Sequence, residues 1–213
     1  MRAVMAFSGG MDSTGLLINL LSKGYKVSTL SYDYGQKHVI EIERAKLNIA
    51  YLASKGFEVE HRVVDLKSAM SIFRSALTST DLEVPEGHYE EEQMKATVVP
   101  NRNAIFASIL YGYALSTSIR EDVDVEIALG VHSGDHAIYP DCRPEFYESI
   151  GESFAMGNWD SERVSFNLPY IDGDKTTILR DALISCQKLG LDFDTVFANT
   201  NTSYNPDEEG RSS

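Results

Sequence analysis

The run Ser8-Gly9-Gly10-Met11-Asp12-Ser13-Thr14 follows directly on the apolar residues Val4-Met5-Ala6-Phe7, and it constrains this sequence more than any other stretch. The apolar residues predict a short β-strand that ends there. Leu16, Leu17, Leu20 and Leu21 recur at helical spacing and predict a helix that begins there. Two adjacent glycines let the backbone turn through conformations closed to other residues and let a ligand approach bare amides. Asp12, Ser13 and Thr14 are side chains favoured at a helix start. Strand, glycine turn and helix N-terminus together form an anion cradle suited to phosphate or pyrophosphate. The same pattern also serves as an ordinary strand-to-helix turn. No lysine follows the glycines, which excludes the phosphate loop ending in Gly-Lys-Ser/Thr, and the missing third glycine excludes the dinucleotide fingerprint.

A chain of 213 residues with 43% hydrophobic residues suits one domain, 1–213, ending in a polar segment at 199–213. The net charge of −13 argues against a general nucleic-acid binder and against an anionic membrane surface, leaving a small-molecule substrate. Met1 stands almost directly on a strand and no apolar run reaches membrane-spanning length, so a cytoplasmic protein is expected. Cys142 and Cys186 lie too far apart in sequence for a metal knuckle or redox pair. Pro85–Lys95 is acidic and aperiodic and reads as an exposed loop.

Further along, strands are expected at 25–32, 58–65, 125–131 and 164–168, with a helix over 39–54 closed by Gly56 and another over the apolar run 104–115. Strands alternating with helices through short joints imply βαβ units and a mainly parallel sheet. Ligands of such sheets bind at the carboxyl ends of the strands, which draws attention to the segments that follow each one. After the second strand come Tyr34, Gln36, Lys37 and His38; Lys37 and His38 either meet phosphate or substrate or cap the next helix. His61 reads as a structural or exposed residue. In Asn101-Arg102-Asn103 the arginine offers rigid donors to an anion; alternatively Asn101 caps the helix and Arg102 makes a salt bridge.

The densest polar cluster is His132-Ser133-Gly134-Asp135-His136 followed by Tyr139-Pro140-Asp141-Cys142-Arg143-Pro144-Glu145-Phe146. A glycine-containing loop does not guarantee His132 and His136 the geometry of a helical metal pair, and no metal is expected there. Asp141 and Arg143 read as contacts to a planar heterocycle or carboxylate. Lys175 falls in the first turn of a late helix, where the dipole disfavours a cation. It either meets phosphate or points to water.

Taken together the chain resembles the 7-cyano-7-deazaguanine synthases, a family of the PP-loop (N-type) ATP pyrophosphatases. The resemblance rests on Ser8–Thr14, Tyr32-Asp33-Tyr34-Gly35-Gln36-Lys37-His38, Val99-Pro100-Asn101-Arg102-Asn103, Tyr139–Phe146 and Lys175, in family order over nearly the whole chain. It implies a Rossmann-like, adenine nucleotide alpha hydrolase-like α/β fold of three layers with a mainly parallel central sheet. It also implies an ATP-dependent conversion of 7-carboxy-7-deazaguanine and ammonia into the nitrile, in the biosynthesis of queuosine and related deazaguanines, by a homodimer using ATP and Mg2+. On this resemblance Phe7, Ser8, Gly9, Gly10, Met11, Asp12, Ser13, Thr14 and Gly130 bind ATP and pyrophosphate. Asp12, Lys37, Arg102 and Lys175 carry the catalysis. Tyr34, Gln36, His38, Asn101, Asn103, His132, Asp135, Tyr139, Asp141, Arg143 and Phe146 bind the substrate.

Two departures stand out. The family carries a zinc site of four cysteines near its C-terminus, but here Ser203 precedes Tyr204-Asn205 and Arg211-Ser212-Ser213 ends the sequence. No structural zinc is therefore expected, and the abrupt polar end suggests a longer natural chain. Lys37 stands where arginine is usual, keeping the charge and losing a bidentate grip. An amide-forming ligase and a nucleotide-binding scaffold are the competing readings. Product mass separates the first from the synthase, and pyrophosphate release separates the second.

Overall fold

The computed structural model describes residues 1–36, 40–73, 98–136 and 139–200, with Asp135 and His136 described by backbone alone. Lys37, His38, the Pro85–Lys95 segment and the polar end beyond residue 200 lie outside the described residues.

Strands β1 (Arg2–Ala6), β2 (Lys26–Asp33), β3 (Glu60–Asp65), β4 (Val125–Ala128) and β5 (Val164–Asn167) form one sheet in the order β3-β2-β1-β4-β5. Every pairing is parallel, with Met5 beside both Thr29 and Ala128. The chain moves outward from β1 to β3 and then crosses to the other side of β1. The carboxyl ends of β1 and β4 thus flank a switch point, where open α/β sheets bind ligands. β4 stops at Ala128, three residues short of the expected 125–131, and the loop to His132 begins there.

The central strand β1 is buried, because helices cover both faces. On one side Phe7, Leu16, Leu17, Leu20, Ala45, Leu52 and Ile178 join helices α1 (Met11–Ser22), α2 (Ile40–Ser54) and the late helix α7 (Lys175–Leu189) to the sheet. On the other, Val4, Leu30, Tyr32, Leu110, Tyr111 and Ile127 pack under α4 (Arg102–Glu121). Short α3 (Lys67–Met70) follows β3, α5 (Ser133–His136) follows β4, and α6 (Pro144–Gly157) and α8 (Phe193–Ala198) complete the described elements. The glycine-containing stretch 133–136, read from sequence as a loop, is a single helical turn.

Helices α1 and α7 lie side by side and parallel. Gly15 admits Ile178, whose Cγ2 is 2.6 Å from where a Cβ would stand, and the Ser22 hydroxyl donates to Ser185 Oγ at 3.1 Å. The same register sets Lys175 level with Asp12.

Candidate active site

The glycine turn is built as the sequence requires. Gly9 adopts φ +81°, and a Cβ on it would lie 2.2 Å from the Glu41 carbonyl oxygen, so both its backbone and its packing demand glycine. Gly10 takes the N-cap position of α1 without a side-chain cap. Asp12, Ser13 and Thr14 therefore fall inside the first turn instead of capping it. The turn holds itself: the Gly10 amide donates to Ser8 Oγ at 3.2 Å, and Ser13 Oγ donates to the Gly10 carbonyl at 3.1 Å. The first helical bond runs from Thr14 N–H to Gly10 O at 3.0 Å. The amides of Met11, Asp12 and Ser13 precede it and have no carbonyl of their own helix to meet, the arrangement by which helix starts can receive anions.

A cavity of about 300 Å³ adjoins this turn at the carboxyl ends of β1 and β2. Phe7, Ser8, Tyr34, Gln36, Arg102 and Asn103, all singled out from sequence, line it. Sequence reasoning missed Ser31, Tyr32, Glu41 and Phe106, which line it as well. Tyr32 and Phe106 stack with centroids 4.0 Å apart and form a flat apolar wall. Gln36 folds its amide back onto the turn after β2, donating to Tyr32 O at 3.1 Å and accepting from Tyr34 N–H at 2.9 Å. It shapes the cavity wall.

Arg102 opens α4 and donates to the Tyr34 hydroxyl at 3.3 Å. Asn101 holds the N-cap position in a left-handed conformation, φ 60°, without a capping hydrogen bond from its side chain, so the capping role open to it in sequence is carried by backbone alone. Asn103 Nδ2 lies 3.9 Å from Cys142 Sγ and joins the cavity to the turn Pro140–Cys142. Asp141 lies within that turn and Tyr139, Arg143 and Phe146 flank it; none of the four lines the cavity, and Arg143 is exposed and precedes α6.

The loop after β4 reaches the glycine turn from the other side. Gly130 lies against Asp12, where a Cβ would meet the Asp12 carbonyl oxygen at 3.2 Å. His132 is buried; its Nδ1 accepts from Gly134 N–H at 3.1 Å, so in the neutral ring the proton sits on Nε2. That Nε2 faces Asp12 Oδ2 at 3.8 Å. Ser133 N–H donates to Gly173 O at 3.0 Å and fastens this loop to the segment before α7. There Asp174 caps the helix by accepting from Thr177 N–H at 2.7 Å, and Lys175 beside it is exposed.

Other singled-out residues have structural settings. His61 Nδ1 shares a hydrogen bond with Thr29 Oγ1 at 2.8 Å, and its ring stands edge-on to Phe7. Cys142 and Cys186 are buried and form no disulfide, and burial pushes the Cys186 thiol up to about 11. Among the described residues no group of three or more His, Cys, Asp or Glu could hold a metal ion. No helix among the described residues is long and apolar enough to cross a membrane.

Comparison with known proteins places this arrangement. A family model described as queuosine biosynthesis protein QueC matches residues 2–213. The 7-cyano-7-deazaguanine synthase 1 of Colwellia psychrerythraea is 42% identical over 208 residues, covering 98% of this chain and 86% of that protein. The 7-cyano-7-deazaguanine synthase of Alteromonas mediterranea is 43% identical over 208 residues, with the same two coverages. In fold, the chain is similar to a 4-thiouridine synthetase solved as an RNA complex with bound ATP, with a TM-score of 0.50, 16% identity, and coverage of 99% of this chain and 47% of that one. The strand-loop-helix turn, the parallel sheet around it and the near-complete match to these sequences make this chain a member of the QueC family, the 7-cyano-7-deazaguanine synthases of queuosine biosynthesis.

Proposed function

We propose that the chain uses ATP to convert 7-carboxy-7-deazaguanine and ammonia into 7-cyano-7-deazaguanine through two adenylated intermediates. The observation that carries this reading is the self-braced glycine turn at the switch point, where a helix begins, with an aromatic-walled cavity at its side. A carboxylate oxygen attacks the α-phosphate of ATP, pyrophosphate leaves, and an acyl adenylate remains. Ammonia displaces AMP to give the amide. Adenylation of the amide oxygen followed by loss of AMP and a proton gives the nitrile.

The residues supply positioning and charge. Amides of Met11, Asp12 and Ser13 bind the departing pyrophosphate, and Lys175, level with Asp12, neutralises the charge that develops there. Magnesium, when bound, would be held near the turn with Asp12 as its carboxylate and would offset the negative charge of the phosphates. Arg102 orients the anionic end of the substrate, with Tyr34 fixing its guanidinium. Tyr139, Asp141, Arg143 and Phe146 contact the heterocycle.

Mass spectrometry of the product formed from 7-carboxy-7-deazaguanine, ATP, magnesium and ammonium, with pyrophosphate followed in parallel, tests the proposal. Nitrile with pyrophosphate is the expected outcome. Amide alone makes the protein an amide-forming ligase, and ATP binding without pyrophosphate makes it a scaffold. Asp12→Ala and Lys175→Ala should each abolish pyrophosphate release while circular dichroism stays unchanged.

A homodimer in the cytoplasm completes the reading. Met156 and Trp159, 85% and 93% exposed at the end of α6, offer apolar surface to a second copy. Light scattering should give twice the 23.7 kDa chain mass, and Trp159→Ser should shift it toward the monomer.

A further inference from the structure

Glu41 is the one carboxylic acid among the described residues lining the cavity. It stands in the first turn of α2, with its carbonyl against Gly9. Part of its surface opens to the cavity, so it is half-buried by area, yet protein surrounds it closely. Burial pushes its carboxyl up to about 7, against the opposing pull of Arg102. Among the described residues, Arg102 on α4 and the Tyr34 phenol beyond β2 are the charged and titratable groups that face it; the glycine turn contributes the Ser8 hydroxyl. Arg102 holds its protons at any working pH, and burial raises the Tyr34 phenol. Neither can accept a proton there.

The cavity and the glycine turn share Phe7 and Ser8. A ligand whose pyrophosphate rests on the turn brings its α-phosphate, and any acyl group joined to it, to the mouth of the cavity. We propose that Glu41 is a catalytic residue whose carboxylate takes the proton from the nitrogen as ammonia attacks the acyl adenylate beside Ser8. The role rests on the synthase reading above. The nitrogen lone pair forms the C–N bond, one N–H proton passes to a Glu41 carboxylate oxygen, and the C–O bond to AMP breaks with its electrons leaving on the phosphate. Glu41 then returns the proton to solvent. Removal of that proton traps the adduct, which otherwise reverts by expelling ammonia. A base is most effective when its pKa lies near the working pH.

Separating the half-reactions tests this. Substrate-dependent exchange of labelled pyrophosphate into ATP, without ammonium, reports adenylation. Single-turnover amide formation with free ammonia held constant across pH reports amination. Glu41→Gln should keep the exchange within a few-fold of wild type and lose ~100-fold or more in amination. Wild-type amination should fall as pH drops below about 7, the variant should be flat there, and Glu41→Asp should recover part of the rate with the acid limb restored. Amination by Glu41→Gln within a few-fold of wild type, or an acid limb that persists in it, overturns the assignment. Loss of exchange together with amination, or a raised KM for ATP alone, also overturns it and makes Glu41 a ligand-binding acid. Absence of exchange in the wild type overturns the synthase reading itself and the role built on it.

Discussion

Gly9 and His132 show how single residues tie the turn to the rest of the sheet. Gly9→Ala would force a side chain into the left-handed region and into the Glu41 carbonyl. The variant should lose about 2 kcal/mol or more of stability, read from the midpoint of a urea titration. His132 contributes a tautomer: with Nδ1 taken by the Gly134 amide, Nε2–H is the atom presented to Asp12. His132→Gln keeps a donor near that position, whereas His132→Asn keeps only the acceptor toward Gly134. Pyrophosphate release should therefore fall ~10-fold in the asparagine variant and recover in the glutamine variant, the loss expected for one hydrogen bond to a charged group. The sequence marked His132 as polar and near the site, but its partner lies far away along the chain and no spacing rule connects them. Glu41 was less legible still. A glutamate in the first turn of an amphipathic helix suits the helix dipole and reads as solvated. Only the packing of α2 over Gly9 turns it toward the cavity.

At the scale of elements, the contact between α1 and α7 depends on the absence of a side chain at Gly15. A Cβ there would stand 2.6 Å from Ile178 Cγ2, the end of a side chain in a fully buried position. Gly15→Val should push the helices apart and cost ~1–3 kcal/mol, measured by chemical denaturation. Because α7 also carries Lys175 in its first turn, pyrophosphate release should drop along with stability. The central strand β1 was readable because its apolar run is continuous, as a buried parallel strand requires. Element ends were less so: β4 closes at Ala128, where the chain turns toward Asp12, and Asn101 enters α4 through a left-handed residue that a sequence rich in capping asparagines does not announce.

For the molecule as a whole, two carboxyls set opposite responses to pH. The Ser28 hydroxyl donates to Glu60 at 2.7 Å, and with Arg62 it holds that carboxyl down at about 2, from an ordinary 4.5. Its stabilising contribution is complete above pH 4.5 and is lost as pH falls from there toward 2. Glu41 has the reverse sign, since a raised folded pKa makes stability fall as pH rises from 4.5 through about 7. Melting temperatures should show Glu60→Gln less stable than wild type at neutral pH, with the difference vanishing in acid. Glu41→Gln should gain on wild type across the upper window. The pairing of α1 with α7 carries one more consequence, for the time at which the molecule becomes complete. The helix that starts at the glycine turn packs against residues made more than 160 positions later, between Ile178 and Ser185. During synthesis the turn leaves the ribosome before the late helix that carries Lys175, and its own helix waits for that partner to emerge.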